Sequence, residues 1–408
     1  MSLRKKLVLG GGLLALVLLT FWLWPVLRFP SRLPAVPAGM TARAEIPGIP
    51  GSRYWVAENI APFVRDVVAA REREKELLAQ SGSTAELPPA DLLAVSGGGD
   101  RGAFGAGLLC GWSDSGTRPQ FKAVTGVSTG ALTAPFAFLG PDYDFVLRTV
   151  YTAVRPQDIL FNRNFLAAIT DDGMADNYPL WTLISKYVDA AFLSKVAAEY
   201  RKGRLLLIGT TDLDAREPVI WNMGAIAASG DPKSLALFRS ILLASAAIPG
   251  AFPPTMIPVE VDGKPYEEMH VDGGASAQVF LYPPSLRRVA QSMGHEMTRT
   301  GRVYVIRNSQ FGSDWAVVDR RTMNIAGRAI SSLIHTQGIG DLYRIYLQTQ
   351  RDGFEFNLAY IDDSFRAEHK EDFDPPFMKA LFDYGYQLAK NGYPWKHAPP
   401  GMDVPLNQ

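Results

Sequence analysis

Residues 92–102 read LLAVSGGGDRG, and residues 121–130 read FKAVTGVSTG. In each stretch a short apolar run, typical of a buried strand, ends at a glycine-rich turn. Runs of small and apolar residues follow both turns and favour helices. Two strand–turn–helix units in succession predict an α/β fold, with a mainly parallel sheet covered by helices on both faces.

The second turn, Gly126-Val-Ser128-Thr-Gly130, has the pattern of a nucleophile elbow. Such a turn strains the serine backbone and brings the residues two before and two after it into contact, which requires glycine at both places. It also sets the serine at a helix N-terminus, where free N–H groups favour negative charge. We therefore predict Ser128 as a nucleophile; the alternative is an ordinary strand–helix connection.

The first turn supplies main-chain N–H groups that could stabilise an oxyanion. It also satisfies the Gly-x-Gly-x-x-Gly pattern of dinucleotide-binding folds. That fold requires an acidic residue at the end of the second strand, where this chain has the serine turn instead. We therefore assign the turn to an oxyanion hole, and both turns together predict an enzyme that cleaves esters through an acyl-serine. The predicted donors are Gly97, Gly98, Gly99, Asp100, Arg101 and Gly102.

A proton acceptor for the serine is predicted at Asp272. Asp262-Gly263 lies between two strand-like runs and indicates a hairpin turn. Asp272 follows the second run, and Gly273 and Gly274 after it indicate close backbone approach. Burial would raise the carboxyl pKa from about 3.9 towards that of a useful base.

Other acceptors remain open at this stage. Asp212 and Asp214 follow another predicted strand and are lesser candidates. His270 is interpreted as structural, although a Ser–His–Asp triad is compatible with the sequence.

Composition narrows the class of protein. The chain has 408 residues, 47% of them hydrophobic, and equal numbers of basic and acidic residues, so its net charge is +0. A nucleic-acid partner is therefore disfavoured. The single cysteine, Cys110, excludes paired-cysteine metal sites, and the five histidines show no ligand spacing, so no metal site is predicted.

The N-terminus predicts a membrane anchor. Arg4-Lys5-Lys6 precedes an uncharged run over residues 7–24, close to the roughly 20 residues that span a bilayer. The basic flank favours the cytoplasmic side, which leaves the rest of the chain extracytoplasmic. A cleaved signal peptide and secretion form the alternative. The predicted organisation is an anchor or signal segment at 1–27, a proline-rich linker at 28–50, a helical lead-in at 51–90 and a catalytic domain at 91–408.

Further elements continue the alternation of strands and helices. The mixed-charge run at 71–76 is interpreted as a solvated helix face. Additional strands are predicted at 204–209 and 303–306, and helices at 56–80, 234–246, 323–350 and 377–390.

The glycine loop, the elbow and the Asp272-Gly273-Gly274 turn, in this order, resemble the patatin-like phospholipase family. Residues 244–254, ASAAIPGAFPP, match a further segment of its pattern. The resemblance implies a three-layer α/β/α fold, a Ser128–Asp272 dyad without histidine, and oxyanion donors at 97–102. It also implies hydrolysis of a membrane lipid or phospholipid with no metal or organic cofactor.

Three other functions remain open. A transacylase would use the same dyad and pass the acyl group to an acceptor other than water. A non-catalytic, membrane-tethered lipid-binding module would keep the fold alone. A dinucleotide-binding oxidoreductase is the most distant alternative.

Overall fold

A nine-stranded sheet forms the centre of the part of the chain that the computed structural model describes, residues 31–57, 59–82, 86–162, 172–173, 175–312 and 315–402. Its strand order is β1-β7-β6-β3-β2-β10-β11, with β9 added to β6 and β8 to β9; β4 and β5 pair separately. The strands are β1 Arg53–Trp55, β2 Ala90–Val95, β3 Ala123–Val127, β4 Phe161–Asn162, β5 Ala175–Asp176, β6 Leu205–Asp212, β7 Glu217–Asn222, β8 Thr255–Val261, β9 Lys264–Asp272, β10 Gly301–Arg307 and β11 Phe354–Tyr360.

The sheet is mixed, which corrects the expectation of a mainly parallel one. Strands β6, β3, β2, β10 and β11 are parallel, whereas β1, β7, β8 and β9 pair antiparallel. Two of the antiparallel pairs, β6–β7 and β8–β9, are hairpins, because short turns can only join antiparallel neighbours. The predicted hairpin turn at Asp262-Gly263 joins β8 to β9 with φ values of 51° and 74°, as a type I′ turn requires.

Helices cover both faces of the sheet, because side chains alternate along each buried strand. Leu93 and Val95 of β2 pack with the core that includes α2, α3 and α11, whereas Ala94 packs with the core that includes α10. Helix α1 covers the same face as α10 beside β6. The helices are α1 Ala61–Gln80, α2 Gly102–Asp114, α3 Thr129–Leu139, α4 Asp144–Ala153, α5 Tyr178–Tyr187, α6 Ala190–Arg201, α7 Met223–Ala228, α8 Ser234–Ser245, α9 Leu286–Ser292, α10 Thr322–Asp352 and α11 Pro375–Lys390.

The charged run on α1 is only partly a solvated face. Glu74 is 9% exposed and forms ion pairs with Lys122 and, at 2.6 Å, with Arg299. These partners hold the pKa of the Glu74 carboxyl below its ordinary value despite burial. Sequence reasoning missed this because both partners are distant along the chain.

Residues 31–50, in the stretch predicted as a linker, lie along the folded domain. Ile49 is 1% exposed, and Glu45 forms a β-bridge with Glu260. Arg32 holds Asp214 through two hydrogen bonds of 3.0 and 2.6 Å. Apolar residues between the prolines supply the buried contacts.

None of the described helices is both long and apolar enough to cross a bilayer. The predicted anchor at residues 1–27 lies outside the described residues.

Candidate active site

Ser128 occupies a strained turn between β3 and α3. Its backbone has φ 56° and ψ −127°, a conformation that costs an ordinary residue free energy and persists only where the surroundings enforce it. A Cβ on Gly126 would lie 2.7 Å from the carbonyl carbon of Gly130, and one on Gly130 would lie 2.7 Å from the carbonyl oxygen of Ser96. The two glycines therefore allow a turn that no side chain would fit.

Strand β6 brings Ser128 and Asp272 together. The parallel partner of β6 is β3, which ends where Val127 pairs with Gly209. On the same edge of β6, β9 then continues antiparallel, with Asp272 opposite Thr210. Strand β3 ends beside Gly209 and strand β9 ends beside Thr210, the next residue of β6. Ser128, which follows β3, and Asp272, which ends β9, are therefore neighbours in space.

The carboxyl of Asp272 is buried and interacts directly with the serine. It is 4% exposed, and Oδ1 accepts a hydrogen bond of 2.7 Å from the amide of Gly274. Burial raises the pKa of Asp272 from 3.8 to about 7, and hydrogen bonds from Ser128 and Gly274 oppose that rise. A carboxyl with a pKa near neutrality can both accept and return a proton.

The glycines after Asp272 allow its close approach. A Cβ on Gly273 would lie 2.5 Å from the carbonyl oxygen of Gly209, and one on Gly274 would lie 3.0 Å from Asp272 Oδ1. The absence of side chains at these two positions lets the carboxyl lie against β6 and lets the amide of Gly274 reach it.

The amides of the glycine loop divide into two groups. The amide of Gly97 donates to Gln278 O at 3.0 Å, that of Arg101 to Gly98 O at 3.2 Å, and that of Gly102 to carbonyls within the turn. In the described part of the chain, the amides of Gly98, Gly99 and Asp100 have no such acceptor. Gly99 has a φ of 59°, which glycine adopts without strain. These three amides are therefore the donors that an incoming oxyanion could use.

Asn308 fixes the glycine loop from the end of β10. Its Nδ2 donates to Ser96 O at 2.9 Å, and its amide donates to Ser96 Oγ at 2.9 Å. Its Oδ1 accepts from the amide of Gly105 at 3.0 Å. Sequence reasoning missed Asn308, since it lies about 200 residues beyond the loop.

Ser245 and Ala247 connect the turn of Ser128 to the segment of Asp272. Ser245 Oγ accepts the amide hydrogen of Ser128 at 3.0 Å and donates to Gly209 O at 2.7 Å. Ala247 O accepts the amide hydrogen of Asp272 at 2.8 Å. The segment quoted above for its resemblance to a family pattern is thus a brace. It also engages the Ser128 amide, which is then not a free oxyanion donor.

The C-terminal region, for which sequence reasoning gave no role, holds the side chain of Asp100. Asp100 Oδ2 accepts from His369 Nε2 at 2.7 Å and from the amide of Phe373 at 3.0 Å. Asp100 therefore links the glycine loop to the segment before α11.

His270 lies in a buried polar cluster of its own. Its ring nitrogens lie 3.0 Å from Thr210 Oγ1 and 3.1 Å from Glu268 Oε2. Together with Asp212, His270 and Glu268 place three ligand-type atoms within 4.8 Å of one another. Arg53 already binds both oxygens of Glu268, so the cluster has its own cation and does not favour a metal. Asp214, the other lesser candidate, pairs with Arg32.

The family model described as patatin-like phospholipase matches residues 93–283. That segment contains the glycine loop, the elbow, the Ser245 brace and Asp272. Residues 93–283 thus form a patatin-like phospholipase domain.

Solved structures with a similar arrangement are distant in sequence. VipD from Legionella pneumophila is 12% identical, with 75% of this chain and 68% of that chain covered and a TM-score of 0.38. Human GIVD cytosolic phospholipase A2 is 12% identical, with 75% and 54% covered and a TM-score of 0.35. The matched part therefore spans about half of the human enzyme. No curated protein sequence matches this chain significantly.

Two cavities flank the glycine loop of the patatin-like domain. One, of about 70 Å³, has an almost entirely apolar lining that includes Leu132, Phe136 and Leu183 and touches Gly99 and Thr129. The other, of about 440 Å³, is polar and touches Gly97 and Gly98. The loop thus separates an apolar space from a polar one.

Proposed function

We propose that the patatin-like domain hydrolyses lipid acyl esters through an acyl-serine formed on Ser128. The observation that supports this is the position of Ser128, in a strained turn, beside the buried carboxyl of Asp272, at adjacent places along β6. A serine alcohol requires an adjacent base to attack a carbonyl, and Asp272 is the group that interacts with it.

The reaction has two halves. Ser128 Oγ forms a bond to the ester carbonyl carbon while Asp272 accepts the hydroxyl proton, and the amides of Gly98, Gly99 and Asp100 stabilise the oxyanion. Collapse breaks the ester C–O bond, and Asp272 returns the proton to the departing alcohol. Water then attacks the acyl-serine with Asp272 as base, which releases the fatty acid and restores the serine.

A lipid substrate is supported by the apolar cavity beside Thr129 and by the family description. The cavity of about 70 Å³ is smaller than the roughly 150 Å³ that holds benzene in an engineered protein. A long acyl chain would therefore enter only if side chains such as Leu183 move aside.

The test is ester hydrolysis by Ser128→Ala and Asp272→Asn, which we expect to lose activity by a factor of about 10³ or more. Asp262→Asn, in the turn of the same hairpin, and Ser292→Ala, on α9, are matched controls and should retain activity. A fluorophosphonate probe should label wild type and not Ser128→Ala.

Two outcomes would redirect the proposal. Full activity in either dyad variant would exclude the dyad. Transfer of the acyl group to an added alcohol in preference to water would identify a transacylase with the same acyl-serine.

A further inference from the structure

A further cavity, which we call the distal cavity, lies at the end of the sheet opposite to Ser128. It has a volume of about 170 Å³ and is lined by Leu92 of β2, Ala123 of β3 and Leu205 of β6, among others. These three residues are successive partners in the strand register, so their side chains share one face of the sheet. Ser128 follows the other end of β3, and the strand between it and Ala123 is about 16 Å long. The distal cavity is therefore separate from the candidate active site.

The distal cavity is a gap in the cover of the sheet. Central parallel strands are normally buried on both faces, yet Leu92 and Ala123 are only partly buried. On this face Leu205 packs with a cluster that includes Phe63 of α1. Leu92 packs with a different cluster, which includes Leu281. The cavity lies between the two clusters, so an apolar ligand that covered this surface would be stabilised by burial.

The size and lining of the distal cavity suit an alkyl chain. Apart from Gly203, Tyr282 and six charged residues, the lining consists of aliphatic, phenylalanine and methionine side chains. Such a wall offers water few hydrogen bonds. The volume of about 170 Å³ slightly exceeds the roughly 150 Å³ that holds benzene, so a single chain of about six to eight carbons fits.

The charged part of the lining carries more cations than anions. Its members are Arg71, Glu74, Lys122, Arg287, Arg299 and Asp352. Glu74 pairs with both Lys122 and Arg299, and Asp352 pairs with Arg287 at 3.6 Å. The two acids are thus engaged by cations of the same lining, and the excess positive charge favours an anionic ligand.

Arg71 of α1 is the cation of this lining that pairs with no acidic residue in the described part of the chain. Its Nη1 donates to the main-chain oxygen of Glu296 at 2.7 Å. Its Nε is buried and has no acceptor among the described residues. A guanidinium with unmade hydrogen bonds in a partly buried place is costly, and its planar donors match a carboxylate. A carboxylate in the distal cavity would therefore find its partner in Arg71.

We propose that the distal cavity binds one free fatty acid of about eight carbons, with its carboxylate on Arg71 and its chain along Leu92, Ala123 and Leu205. One guanidinium without an acidic partner matches a monoanion, and the volume holds one short chain, so a two-chain lipid does not fit. Fatty acids are also the class of product that the proposed hydrolysis would release. Binding here does not require that reaction, because the cavity lies at the other end of the sheet.

The first experiment is a calorimetric titration of the full chain with sodium octanoate below its micelle concentration. Arg71→Met should weaken octanoate binding by about 10-fold to 100-fold, because charge-assisted hydrogen bonds are lost. 1-Octanol, which keeps the chain and lacks the charge, should bind the wild type more weakly than octanoate does, and Arg71→Met should not change its affinity. Arg65→Met, an exposed arginine on the same helix, is the matched control and should keep the octanoate affinity. No octanoate binding to the wild type, or equal octanoate affinity in Arg71→Met, would overturn the inference.

The second experiment separates the distal cavity from the candidate active site, whether or not the chain hydrolyses an ester. Ala123→Phe would fill the distal cavity and should abolish octanoate binding. Leu132→Trp, which would fill the apolar cavity beside Thr129, should leave octanoate affinity unchanged. Thermal melting would verify that each variant folds, and Leu92→Phe would replace Ala123→Phe if the latter does not. Octanoate binding that survives in Ala123→Phe and is lost in Leu132→Trp would overturn the inference and place the fatty acid beside Ser128.

Discussion

At the residue scale, the decisive group is Asp272, because its environment sets its protonation. Desolvation disfavours the charged carboxylate, which is the form that can accept the proton of Ser128. The opposing hydrogen bonds bring its pKa to about 7 and not higher. No histidine is needed for a base of this strength.

The pH dependence of activity follows from this pKa. We expect kcat/KM on a water-soluble ester to rise as pH increases through about 7, since ionised Asp272 is the base. A pH–rate profile of kcat/KM measures this rise. A profile that is flat between pH 5 and 9, with chemistry rate-limiting, would contradict the assignment.

Stability should change in the opposite sense. The folded-state pKa of Asp272 is raised from 3.8 to about 7, so the folded protein retains a proton that the unfolded chain releases. This contribution to the free energy of unfolding declines as pH rises from about 4 to about 7, then levels off. Asp272→Asn should remove that decline. Denaturant titrations of the wild type and of Asp272→Asn between about pH 4 and about pH 7 would measure the free energy of unfolding of each protein. The same pH dependence in both proteins would argue against a buried, neutral carboxyl at Asp272.

Ser245→Ala tests the brace behind the elbow. The substitution leaves the buried amide of Ser128 and the carbonyl of Gly209 without a partner, at a cost of about 1–3 kcal/mol for each unsatisfied group. We expect a lower free energy of unfolding and a kcat reduced by about 10-fold, with KM little changed. Ser229→Ala is the control, because Ser229 also accepts an amide and donates to a carbonyl, far from the site. An unaltered kcat in Ser245→Ala would show that the turn around Ser128 keeps its conformation without the Ser245 hydrogen bonds.

At the element scale, strand β6 positions both Ser128 and Asp272, because the strands that carry them pair with it. It pairs with β3 over one half of its length and with β9 over the other. The parallel units position the proposed nucleophile, Ser128, whereas the antiparallel hairpin positions the proposed base, Asp272. Most of the predicted strands and helices agree with the observed elements to within a few residues, because their apolar patterns are local.

Helix α3 should set the acyl-chain preference, because Leu132 lines the apolar cavity one turn after Ser128. Leu132→Trp would fill that space and should lower kcat/KM for long-chain esters by about 10-fold or more relative to butyrate esters, since misfit costs 1–3 kcal/mol per methylene. A chain-length series of nitrophenyl esters measures the shift. Leu77→Trp, at a 41% exposed position on α1, is the control. An unchanged chain-length profile would place the acyl chain elsewhere.

At the scale of the whole molecule, Arg32 and Leu33 dock beside the β8–β9 hairpin. Arg32 donates to Glu267 O at 2.7 Å, and the amide of Leu33 donates to Glu267 Oε2 at 2.9 Å. An anchor at residues 1–27, which we propose from the sequence, would precede this docked segment in the chain.

Removal of residues 1–27 tests that arrangement. We expect the shortened protein to leave the membrane fraction and to act more slowly on phospholipid vesicles, because proximity to the bilayer is lost. Hydrolysis of a water-soluble ester should be unchanged, which serves as the control for folding. Equal recovery of both forms in the soluble fraction would exclude a retained anchor.

The sequence by itself determined the α/β class, the hairpin at Asp262-Gly263 and the candidate residues of the site, because glycine turns and apolar runs impose their conformation locally. Only the tertiary structure decided which residues meet. The placement of Ser128 beside Asp272, the hydrogen bond from Ser128 to Ser245 and those from Asn308 to Ser96 join positions about 100 to 200 residues apart. Strand register and burial set those contacts, and neither is encoded in any single stretch of the chain.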